Sequence, residues 1–90
     1  MKLTNHASIR LQQRGIPPIV VDLLLGYGSI EKAGKDAVTY YFDKASRRKI
    51  SAYAGQLFRA IEGFLDYYAV VGSDGNVITV APRVKKVKHH

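Results

Sequence analysis

The chain reads as an α+β domain: an antiparallel sheet of about four strands with helices mainly on one side, in the order α-α-β-β-α-β-β. Three observations predict this class. Apolar residues at three- and four-residue steps mark helices up to Leu25 and again after Asp43. Alternating or β-branched runs mark strands around Ser29 to Asp43 and Asp66 to Ala81. The links between strands are short and carry Gly, Asp and Asn, which suits antiparallel neighbours rather than crossovers.

Taken in order, Thr4 is placed to cap a helix from Asn5 to Arg14, because its hydroxyl can accept an amide left unpaired in the first turn. Gly15 stands where a left-handed C-cap is wanted, and Ala7 and Leu11 face the core. A second helix, Pro18 to Leu25, opens on proline, turns Ile19, Val20, Leu23 and Leu24 inward and Asp22 outward, and ends at Gly26 and Gly28. Ser29 to Ala33 predicts a strand and Gly34-Lys35-Asp36 a turn. Ala37 to Asp43 predicts a second strand, with Val38, Tyr40 and Phe42 on one face.

Asp43 then caps a third helix, whose stripe is Ile50, Tyr53, Ala54, Leu57, Ile61 and Phe64. Lys44, Arg48, Ser51, Arg59 and Glu62 lie opposite that stripe. The phase runs through Gly55, so either one helix continues to about Gly63 or the chain breaks at Gly55, where an interior Gly costs about 1 kcal/mol relative to Ala. Asp66 to Gly72 and Val77 to Ala81, joined by Ser73-Asp74-Gly75-Asn76, predict a hairpin that Pro82 ends. Residues 1–82 are expected to form one domain and 83–90 a basic tail.

Fourteen Lys and Arg against seven Asp and Glu give a formal charge of +7. That balance points to a polyanionic partner: nucleic acid first, an acidic protein second, a lipid surface third. With no cysteine, a disulfide scaffold and a thiolate metal site are both excluded. The start lacks the apolar stretch of a signal peptide, and the longest apolar run, Ile19 to Leu25, is too short to span a bilayer. A cytoplasmic protein with no membrane partner is the expectation. Gly26-Tyr27-Gly28 opens like a dinucleotide loop, but Glu31 occupies the third glycine position and no strand precedes it. There is no Walker loop, no nucleophile elbow and no histidine pair at metal-ligand spacing, so no metal or other cofactor is expected.

Three basic groups are candidate functional residues. His6, Arg10 and Arg14 follow one another at four-residue steps along one flank of the first helix, an imidazole for proton transfer beside two guanidiniums for phosphate. The competing reading leaves His6 at the helix start and pairs Arg14 with Asp22 or a carbonyl. Arg47, Arg48 and Lys49 form a second cluster, read either as a nucleic-acid-binding patch or as an ordinary solvated face. Arg83, Lys85, Lys86 and Lys88 form the densest cluster, read as a basic arm on a phosphate backbone or as a solubilising tail. His89 and His90 are given no role. Of the six tyrosines, Tyr40 and Tyr53 fit core stripes. Tyr41 and Tyr67 could lie on the other sheet face, where rings stack on bases unless helices cover them.

The segments His6-Ala7, Arg10, Arg14-Gly15-Ile16, then Tyr41-Phe42-Asp43-Lys44 and Val77-Ile78-Thr79-Val80, resemble a bacterial domain-of-unknown-function family, family 4258. By analogy of fold that family is similar to the small RelE-like and BrnT-like toxins of toxin–antitoxin systems. The resemblance implies a metal-independent ribonuclease held by an acidic antitoxin, with His6, Arg10 and Arg14 catalytic. Where such toxins place a catalytic side chain at the end of the last strand, this chain has Ala81-Pro82-Arg83, and proline supplies no proton. Two further hypotheses stand beside it: a non-catalytic module that binds RNA or another nucleic acid, and a protein-interaction module that docks an acidic partner.

Overall fold

A computed structural model describes residues 3–83. Its elements run α1 (Asn5–Arg14), α2 (Pro18–Tyr27), β1 (Ser29–Lys32), β2 (Ala37–Tyr41), α3 (Lys44–Ala54), α4 (Gln56–Ile61), a 3-10 turn (Glu62–Phe64), β3 (Tyr67–Gly72) and β4 (Val77–Pro82). The four strands form one antiparallel sheet in the order β1-β2-β3-β4, a meander with no crossover. The fold class is the one expected, with one helix more.

The helix ends are set by side chains and glycines. The Thr4 hydroxyl accepts the Ala7 amide at 3.2 Å, and Gly15 closes α1 at φ 62°, a left-handed cap that favours glycine. Asp43 starts α3 by accepting the Ser46 amide at 2.8 Å. Of the two alternatives for the third helix, the chain takes the break: Gly55 adopts φ 57°, ψ −120°, a backbone state open to glycine and costly for other residues. The chain therefore turns there, and Tyr53, placed in the core stripe by periodicity, is 76% exposed. Leu57 is also exposed, whereas Ile50 and Ile61 are buried. In α2, Val20, Val21, Leu23 and Leu24 are buried and Ile19 is exposed, so its expected inward orientation is not observed. Gly28 has a steric reason: a Cβ there would sit 2.5 Å from the Leu24 carbonyl oxygen and 3.0 Å from that of Tyr41.

Register decides which face of each strand is buried. Tyr40 pairs with Ala69 and Ala69 with Val80; Val38 pairs with Val71 and Val71 with Val77. These residues join Ala7, Leu11, Ile16, Val20, Leu24, Ile50, Ile61 and Leu65 in one hydrophobic cluster. Each large aliphatic side chain in it contributes on the order of 1.5–3 kcal/mol by leaving water. All the buried strand residues share one face, so the helices and the core lie on that side. The chain's Cα extents are 34 × 32 × 22 Å. The thin dimension holds one sheet and one layer of helices, each about 10–12 Å across. No described helix is long and apolar enough to cross a membrane.

Candidate functional site

Strand pleating puts the remaining side chains on the opposite face. Ser29 pairs with Tyr41, Tyr41 with Tyr68, and Tyr68 with Ala81, making one row at the end of the sheet where β2 leaves for α3. Glu31, Thr39, Val70 and Thr79 form the next row. Beyond them lies Gly72, where a Cβ would stand 3.1 Å from Ile78 Cδ1 and 3.3 Å from Asp74 Oδ1. Thr39, Tyr41, Tyr68, Val70, Thr79 and Ala81 are each half-buried, and none of them belongs to the hydrophobic cluster into which the helices pack. Directly opposed side chains on neighbouring strands stand about 4.5–5.5 Å apart at Cβ, so Tyr41 and Tyr68 are neighbours on this face.

Arg83 sits at its rim. The residue follows β4, and its amide donates to the Asp66 carbonyl oxygen at 2.6 Å, which pins its backbone to the sheet's end. Its guanidinium carbon lies 4.4 Å from the centroid of the Tyr41 ring, a cation–π contact on the open face. Among the described residues that guanidinium has no carboxylate partner and no hydrogen bond, and the side chain is exposed.

At the same end, a hydrogen-bonded cluster holds the junction of β1, β2 and α3. Asp43 accepts the Ser29 hydroxyl at 2.5 Å, the Ser46 amide at 2.8 Å and the Ser46 hydroxyl at 2.7 Å. These bonds, that of Ser29 foremost, lower its pKa from 3.8 to about 2. Ser46 is a buried polar residue, and this cluster satisfies it.

Two of the basic groups meet at Asp66, whose carboxylate takes Arg47 and whose carbonyl oxygen takes the Arg83 amide, while His6, Arg10 and Arg14 lie together on α1. Arg47 is a structural clamp: its Nη2 donates to the Leu65 carbonyl oxygen and to Asp66 Oδ1, both at 2.9 Å, and its Nε to the Phe42 carbonyl oxygen at 3.4 Å. It is the only described residue of its cluster so engaged; Arg48 and Lys49 are exposed on α3. His6 and Arg14 are exposed and Arg10 half-buried, all on α1, which lies in the helical layer. Among the described residues none of the three makes a hydrogen bond or ion pair, so Arg14 does not pair with Asp22 and the capping role belongs to Thr4. A shallow groove of about 320 Å³, lined by Leu3, Ser8, Leu11, Gln12, Gly15, Ile16 and Pro18, runs along the other flank of α1. Lys85, Lys86 and Lys88 lie outside the described residues.

Two aromatic placements change. Tyr67, expected on the open face, points to the core side with Ala69 and Val71 and meets the Phe64 ring at 5.6 Å. Tyr68, given no place by the sequence reading, takes the open-face position. The signal that would have found it is parity: Ala69 and Val71 share the buried face, so Tyr68 and Val70 must share the other. Among the described residues no group of three or more His, Asp or Glu stands together as a metal site would require. No family model matches the chain, and no curated protein or solved structure does either.

Proposed function

We propose that this chain is a nucleic-acid-binding domain that uses the sheet face opposite its core. The observation that carries the reading is the paired Tyr41 and Tyr68 on that face, with the Arg83 guanidinium beside them. Aromatic rings on an open sheet stack on bases of any sequence, and a rim arginine serves the phosphates. The formal charge of +7 supplies long-range attraction for a polyanion.

Binding is favoured over ribonuclease chemistry because no described residue orients a proton-transfer group: His6, the one imidazole among the described residues, is exposed on α1 and makes no hydrogen bond or ion pair to them. A proton-transfer group must reach the bond it cleaves.

Binding of a labelled oligonucleotide, followed by anisotropy across a salt series, tests the proposal. Log affinity should fall against log salt with a slope of about −0.7 for each phosphate neutralised. Tyr41→Ala and Tyr68→Ala should each weaken binding by about 1–3 kcal/mol, while His6→Ala leaves it unchanged. A double Tyr variant that binds like the parent, or a flat salt response, would remove the reading.

A further inference from the structure

Resting on that reading, we infer that the ligand is a single strand with unpaired bases, and that Arg83 is a displaceable cap on Tyr41 that a base replaces on binding. In the structure the guanidinium occupies the ring face that a base would need, 4.4 Å above its centroid. What holds it there is weak. The Arg83 backbone is fixed by the bond from its amide to the Asp66 carbonyl, but among the described residues its side chain contacts no carboxylate and makes no hydrogen bond. The side chain can therefore swing off the ring without breaking any hydrogen bond of the fold.

The exchange favours the base. An exposed cation–π contact is worth about a 2- to 5-fold change in an equilibrium, whereas a base stacked on an aromatic ring is worth about 5- to 150-fold. Once displaced, the guanidinium stays tethered at the rim of the same face. There it meets the backbone phosphate that enters with the base, and a charge-assisted pair replaces the contact it lost. A duplex cannot make this exchange, because its base faces are already stacked on one another and the sheet face is a row of side chains rather than a groove reader.

Two probes of the same base sequence separate the roles: a fluorescein-labelled single DNA strand of about 12 nucleotides, within the range such a face covers, and a peptide nucleic acid with an uncharged backbone. Each is titrated with the full chain and with Arg83→Gln, and the DNA complex is challenged with unlabelled single strand or preformed duplex. The uncharged strand should bind Arg83→Gln about 2- to 5-fold more tightly than the parent, because the cap is gone. The DNA strand should bind it more weakly, with a salt slope smaller by about 0.7. Single strand should compete at least about tenfold better than duplex. Arg83→Gln weakening both probes equally, or changing neither, would overturn the cap; duplex competing as well as single strand would overturn the ligand class. Either result leaves the sheet face itself to be judged by Tyr41→Ala and Tyr68→Ala, whose failure would instead end the underlying reading.

Discussion

Asp43 shows how one residue joins two tasks. Its carboxylate caps α3 and, through Ser29, ties the edge strand β1 to that helix, directly behind the row that holds Tyr41. The bonds it accepts favour the charged form and hold its pKa near 2. Because the folded pKa lies below the unfolded one, the resulting stabilisation is complete above about pH 4 and is lost as pH falls toward 2. Thermal unfolding midpoints measured across that window should fall more steeply for the parent than for Asp43→Asn, which keeps an acceptor but does not titrate. Identical pH slopes would show that the bonds to Ser29 and Ser46 do not set the acid response. The cap itself was legible, since an aspartate before a helical stripe has a known task; its bond to Ser29, 14 positions earlier, depends on strand pairing that composition does not encode.

Elements were legible where period and punctuation agreed, and misplaced where the alternation was silent. The hairpin turn is one success. The Asp74 carboxylate accepts the Asn76 amide and side-chain amide, and Gly75 takes φ 84°. The run Tyr67-Tyr68-Ala69-Val70-Val71 is apolar at both parities, so the buried face follows from the partner strands and not from the run itself. The third helix carried a continuous stripe, yet one glycine with a positive φ ended it and left Tyr53 in solvent beside Tyr27, ring centroids 5.7 Å apart. Arg47 was indistinguishable from Arg48 and Lys49 in sequence because two of its partners, Leu65 and Asp66, meet it only where the chain returns past α3 toward β3. Arg47→Ala should destabilise the fold by about 1–2 kcal/mol, most of it from the lost carbonyl bonds, since so exposed an ion pair contributes little. Arg47→Lys should not restore it, because an ammonium cannot span the three acceptors as the planar guanidinium does. Denaturant midpoints of the two variants check this, and a lysine variant as stable as the parent would mark the clamp as simple charge pairing.

At the scale of the molecule, a single helical layer over one face of a four-stranded sheet determines what each surface can do. One side is filled by the core and its helices; the other presents Tyr68 and, under Arg83, Tyr41. The sequence led to an expectation of cations gathered from distant segments; among the described residues Arg47 and Arg83 meet at Asp66, and each has a different task. Arg47 serves the structure, the α1 trio lies in the helical layer, and Arg83 reaches the open face. The proposed binding surface is therefore the sheet face. Its most direct test is nuclear magnetic resonance mapping of the isotope-labelled chain during titration with a short unlabelled single-stranded oligonucleotide. The account predicts shifts concentrated on Thr39, Tyr41, Tyr68, Val70, Thr79 and Arg83, with α1 unperturbed. Shifts centred on His6, Arg10, Arg14 and Arg48, with the sheet face silent, would contradict it.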